Sequence, residues 1–221
     1  MSTYIKFENV SKSFRHEEIL RSIHLELEKG KIYGFIGRNG SGKTMIFKML
    51  TGLMRPSSGY IFIEQVNMTK TKQFPQSVGA LIETPGFMSH YSGLKNLKIL
   101  NSLSNQRVSV EELKESMRQV GLDPNNKKPV RTYSLGMKQK LGIAQAIMNH
   151  PQLLILDEPM NGLDEESVRH MRCFFKKLKE EQGVTILLAS HNQEDINVLC
   201  DELFYITDRS VQAQKQIGVN V

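Results

Sequence analysis

The stretch GRNGSGKT, Gly37 to Thr44, constrains this chain more than any other feature. It fits the spacing G-x-x-x-x-G-K-[ST], with Gly37, Gly42, Lys43 and Thr44 at the fixed positions. Glycines let the backbone turn so that successive N–H groups point inward, above the positive end of the helix that follows. The result is a nest for an anion. Such a loop needs a strand before it and a helix after it. KIYGFIG is a short apolar run that enters the loop, and KTMIFKMLTGL leaves it with Met45, Phe47, Met49, Leu50 and Leu53 at helical spacing. The backbone of Gly37, Arg38, Asn39, Gly40, Ser41 and Gly42 is therefore expected to cradle a nucleotide phosphate. Lys43 would reach the β- and γ-phosphates as a point charge, and the Thr44 hydroxyl would join the coordination of Mg²⁺.

The rest of the chain alternates strand and helix signals. Tyr4 to Val10 and Ile23 to Glu28 alternate apolar and polar residues as half-buried strands do, with a polar stretch around Arg15 to Glu18 between them. PSSGYIFIEQ reads as a turn and a strand. From Pro85 to His150 the pattern changes to helices over Leu94 to Leu103, Val110 to Val120 and Leu135 to Met148. QLLILDE and VTILLAS are then nearly continuous apolar runs bracketing a helical stretch, Glu165 to Glu181, as buried parallel strands with crossover helices would be. These signals give an α/β fold: a phosphate-loop core with a mainly parallel sheet, an N-terminal antiparallel β part and an inserted helical lobe. Residues 1–221 read as one domain, with 1–84 and 151–221 as core and 85–150 as helical lobe.

Two further segments carry chemistry. LLILDEP ends an apolar strand in acid, which sets a carboxylate at the sheet edge where doubly wound folds bind ligands. Asp157 would bind Mg²⁺ through water, and Glu158 would face the γ-phosphate as a general base for an attacking water. Acidic residues also close strands as plain turn formers. TYSLGMKQKLGIAQAI opens on Ser134 and continues as a helix, a second helix N-terminus suited to an anion or simply an ordinary helix start.

Composition excludes some classes. With 221 residues and 39% hydrophobic content the chain buries a sizeable core. Its net charge of +6 suits anionic partners, but the basic residues are scattered, so a solvated surface is expected rather than a nucleic-acid groove. Cys173 and Cys200 show no metal spacing and are expected to be buried free thiols in a reducing compartment. No signal pattern opens the chain and no window has the roughly 18 apolar residues of a membrane span, so a cytoplasmic protein is expected.

In order and nearly from end to end, these motifs resemble the ATP-binding cassette (ABC) ATPases. In that family the signature turn LSGGQ of one subunit closes over ATP held by the phosphate loop of another. Here Tyr133, Ser134, Leu135, Gly136 and Met137 occupy that place, and the resemblance makes Ser134 and Gly136 the phosphate contacts. It also makes Phe14 an adenine-stacking residue, Asn161 to Asp164 (NGLD) the loop that meets its counterpart across the dimer, and His191 the switch that touches the γ-phosphate. One departure stands out: Glu83, after SVGALI, occupies the place of a Gln that helps hold Mg²⁺ in most relatives. A carboxylate is a hard-oxygen ligand but adds negative charge near the γ-phosphate.

IETPGF with YSLGMKQKLGIA is most similar to the bacitracin-resistance and lantibiotic-immunity branch. The resemblance implies an ATPase that energises export through a separate polytopic membrane permease, peripheral at the inner membrane face, paired with an identical or different second cassette. The tail after YITDRS is shorter and less regular than in many relatives, which allows for a missing C-terminal regulatory piece. The rival class, a soluble ABC-type ATPase acting on a macromolecular machine, usually has tandem cassettes or coiled-coil insertions, and no heptad run is present here. A regulator that does not hydrolyse is disfavoured by Glu158 with His191, and a phosphate-loop kinase by the signature turn.

Overall fold

Alternating burial builds the first sheet. The computed structural model describes residues 3–15, 17–71 and 75–215. β1 (Thr3–Phe14) pairs antiparallel with β2 (Glu17–Glu28), and on its other edge with β4 (Ser58–Ile63), which carries the short β5 (Val66–Asn67). Ile5, Phe7, Leu25, Leu27 and Ile61 point inward from this sheet. His16, between β1 and β2 in sequence, lies outside the described residues.

The second sheet runs β10–β9–β3–β8–β7–β6, from β3 (Ile32–Ile36), β6 (Val78–Leu81), β7 (Leu153–Asp157), β8 (Thr185–Ala189), β9 (Glu202–Thr207) and β10 (Ser210–Lys215). All its pairings are parallel except β9 with β10. Successive residues of a strand face opposite sides. Leu153 and Ile155 of β7 therefore join the first sheet's core, with Phe35 and with Phe47 of α1 (Lys43–Leu50). Leu154 and Leu156 join a second core with Leu97 of α2 (Gly93–Leu103), Leu113 of α3 (Val110–Gln119), Leu141 of α4 (Leu135–Ile147) and Phe175 of α5 (Glu165–Gln182). Burial on both faces is the reason these strands read as unbroken apolar runs.

The helices start on built caps. Ser92, Ser109, Ser134 and Asp164 each accept a first-turn N–H of α2, α3, α4 and α5, and Ser109 with Glu112 closes a reciprocal capping box. α6 (Gln193–Leu199) packs beside α5.

Two expectations change. Leu53 is 64% exposed, because α1 ends at Leu50 and Gly52, at φ 75, turns the chain away from the buried face. Cys173 is exposed: α5 turns Met171, Arg172, Phe175 and Leu178 inward, and Cys173 falls on the opposite side. Cys200 is buried as expected. In the tail, β10 pairs with β9 residue for residue, and residues 216–221 lie outside the described residues.

Candidate active site

The phosphate loop connects β3 to α1, so its shape follows from both. Gly42 sits at φ 108, and any Cβ there would stand 2.7 Å from the Leu20 side chain. Gly37 is equally constrained, since a Cβ would meet Ser41 Oγ at 2.5 Å and the Ile206 carbonyl oxygen at 2.9 Å. α1 begins with no side-chain cap and no acidic residue in its first turn, leaving its positive end uncompensated. The Lys43 ammonium turns back into the loop and donates to the carbonyl oxygens of Gly37 at 2.6 Å and Arg38 at 3.2 Å. Burial lowers its pKa, and the nearby charges of Glu158 and Asp157 act in the opposite direction.

Across the loop, the Thr44 hydroxyl donates to Asp157 Oδ2 at 2.7 Å, joining the first turn of α1 to the end of β7. A hydroxyl and a carboxylate are hard oxygen donors, and this pair fits Mg²⁺, which takes one or two protein ligands and completes its shell with water and phosphate. Among the described residues no group of three or more His, Cys, Asp or Glu side chains could enclose a metal ion.

Glu158 follows with its backbone in the left-handed region, at φ 51. Its Oε2 accepts the His191 backbone N–H at 3.3 Å. Its Oε1 lies 3.2 Å from His191 Nε2 but without hydrogen-bond alignment, so this buried acceptor has no partner. Burial pushes the Glu158 carboxyl above its ordinary range; His191 and Lys43 pull it down, and Asp157 adds to the rise. A half-buried carboxylate with a raised pKa and an unpartnered oxygen is suited to accept a proton from water.

A cavity of about 590 Å³ opens here, bounded by residues 39–45, Asp157, Glu158, Asn161 and His191, and on the far side by Glu83, Leu135, Lys138 and Gln139. The Glu83 carboxylate, at the end of β6, pairs with Lys48 of α1 at 2.5 Å and its side chain is 61% exposed. Ser134 and Gly136 do not line this cavity, whereas their neighbour Leu135 does and is 65% exposed. Phe14 is also outside it, at the end of β1, with the Lys12 ammonium 4.8 Å from its ring centre.

The sequence reading missed Gln139, Lys138 and Lys48. The first two share a helical face with Leu135 at i+3 and i+4, and that spacing was the available signal. Lys48 lies four residues beyond Thr44 on the same side of α1.

A glycine loop feeding a helix from a parallel sheet, with a carboxylate from the second strand along tied to the loop's threonine, places the chain among the phosphate-loop nucleotide-binding proteins. The profile of the ABC transporter family matches residues 20–161, and the chain belongs to that family. It is 43% identical over 202 residues to the bacitracin transport ATP-binding protein BcrA of Enterococcus faecalis, covering 91% of this chain and 65% of that one. It is 36% identical over 212 residues to the lantibiotic transport ATP-binding protein SrtF of Streptococcus pyogenes, covering 96% and 90%. The chain thus spans just under two thirds of the bacitracin relative. The fold superposes on the ATP-binding cassette MJ0796, in a dimeric post-hydrolysis state bound to ADP and Pi, with a TM-score of 0.88, 20% identity, and coverage of 97% of this chain and 99% of that one.

Proposed function

We propose that this chain is the ATP-hydrolysing subunit of an ABC exporter for a peptide antibiotic or similar amphiphile. It works as one of a pair of cassettes at the inner membrane face, on a separate permease. The observation that carries the reading is the convergence of Lys43, the Thr44–Asp157 pair and the Glu158–His191 pair on one loop. The relatives' names, bacitracin and lantibiotic transport, support the cargo class. Among the described residues no helix is long and apolar enough to cross a membrane, so transport needs a partner that does.

In this reading the loop amides of residues 37–44 and the Lys43 ammonium hold the phosphates and stabilise the charge that builds on them. Thr44 and Asp157 would hold Mg²⁺, with Glu83 as a further candidate ligand; the ion would supply neutralisation of phosphate charge. Glu158 orients water and takes its proton through Oε1, the oxygen left without a hydrogen bond in the structure. His191 steadies Glu158 through its backbone and senses the γ-phosphate through its ring. Phe14 offers a face to adenine, and Ser134 with Gly136 contact the nucleotide of the second cassette.

Glu158→Gln tests this. It removes the base and keeps the shape, so ATP binding is retained while turnover falls by about 10²-fold or more. A purified variant hydrolysing ATP at the parent rate would remove Glu158 from the reaction.

A further inference from the structure

α4 touches the site at two levels. At its start the signature turn lies against the loop Asn161 to Asp164: a Cβ on Gly136 would stand 2.7 Å from the Gly162 carbonyl oxygen, and one on Gly162 would stand 2.6 Å from Leu135. Further along the same helix, Gln139 Nε2 donates to the backbone carbonyl of Glu158 at 2.9 Å. That carbonyl also accepts the Asn161 N–H at 3.2 Å, and the Glu158 N–H donates to Ala189 at 2.9 Å. Glu158 is thus held in a left-handed conformation, unfavourable for a residue with a Cβ, by bonds on both sides of its α-carbon. Two of those bonds come from its own sheet and turn; the third comes from the helical lobe.

We propose that Gln139 is a positioning residue for Glu158. Through it, a signature turn closing over the nucleotide of a second cassette sets the main chain of the carboxylate in this chain's own site. The proposal rests on the paired-cassette reading above. Ser134 and Gln139 are five residues apart on one continuous helix, about 7.5 Å along its axis, so a displacement at the cap reaches Gln139 as a rigid-body shift. The sign of the coupling follows. The bond already stands in the single chain at 2.9 Å, and engagement of the turn fixes the helix and so keeps Gln139 against the Glu158 carbonyl; without that bond only the sheet and turn bonds aim the carboxylate. Because linkage is reciprocal, ATP in one half of the pair raises the competence of the other, which appears as cooperativity in ATP.

Gln139→Met keeps the length and apolar stem of the side chain and removes the donor, while the Asn161 N–H still satisfies the carbonyl. The parent protein and this variant are compared for kcat, KM and Hill coefficient. ATP-dependent dimer formation is compared by size exclusion in the Glu158→Gln background with and without the second change. The expected result is a kcat lowered about tenfold, the size of one lost hydrogen bond, and a Hill coefficient falling towards 1. KM for ATP and dimer formation stay within about twofold.

Unchanged kcat and Hill coefficient would overturn the proposal. So would KM and dimerisation failing in proportion to kcat, which would make Gln139 a brace of the helical lobe. If Glu158→Gln alone stays monomeric with ATP, the paired-cassette reading fails first and takes the proposal with it.

Discussion

Glu158 is the residue on which the proposed reaction turns, and its environment leaves a mark on stability. Burial raises its pKa, so the folded chain holds this proton more tightly than the unfolded chain does. Between the ordinary glutamate value of about 4.3 and the raised folded value, the folded state binds more protons, and stability falls as pH rises through that window. Glu158→Gln removes the penalty. Its thermal midpoint should exceed the parent's at neutral pH, with the gap closing below about pH 4; equal midpoints at pH 7 would mean that the carboxylate is well solvated. The two cysteines give a second reading of burial. Burial, with Asp201 and Asp195, pushes the Cys200 thiol up to about 12, whereas Cys173 is exposed on α5. A thiol reagent should therefore modify one cysteine rapidly in the native protein and both after unfolding, and two fast thiols without denaturant would contradict the packing of Cys200 beneath β3 and α6. The sequence singles out Gly37 to Thr44 by fixed spacing, and Asp157 and Glu158 as the acidic end of an apolar strand. It does not show that Glu83 pairs with Lys48, because that contact joins elements 35 positions apart.

Among the elements, those built by one physical rule were the most legible. β7 and β8 are buried on both faces and read as continuous apolar runs, and α2 to α5 carry Ser or Asp caps that mark their starts. β1 and β2 extend beyond the alternating segments because shifts in their register, between Phe7 and Val10 and again near Lys12, break the alternation that marks a strand. α6, with seven residues, is too short to show a helical period, and β9 and β10 gain their pairing from a sheet whose other strands lie far away in sequence. What holds α6 is not legible either. Arg172 of α5 reaches Asp195 at 2.6 Å, Asp195 is 1% exposed, and its second oxygen accepts from Ser190 Oγ at 3.2 Å. The residue after Ser190 is His191, so this buried pair anchors the segment that carries the site's histidine. Arg172→Met leaves the Asp195 charge without its partner in the interior and should cost about 3–5 kcal/mol in a denaturant titration. A loss below about 1 kcal/mol would place the pair in effective contact with water.

At the scale of the whole molecule, the cavity has one wall from the sheet and another from the helical lobe, and the helix that closes it keeps Ser134 and Gly136, the proposed phosphate contacts, out of the lining. Ser134 and Gly136 stand outside the cavity while Leu135, at the same turn, is mostly exposed. A single chain therefore presents half of a closed site and one contact surface for the other half, which is the geometric argument for a pair. Among the described residues no helix is long and apolar enough to cross a bilayer, and the exporter proposed above would work on a separate permease. The decisive experiment joins these facts. Glu158→Gln, tagged and loaded with ATP and Mg²⁺, should be held in the closed, paired state because the bound nucleotide is not consumed. Recovered from detergent-solubilised native membranes, it should bring down a polypeptide with several membrane spans, and the pocket of that partner would then define the cargo. Recovery with soluble partners alone, from a variant that still pairs with ATP, would remove the exporter reading and leave an ABC-type ATPase acting on a soluble machine.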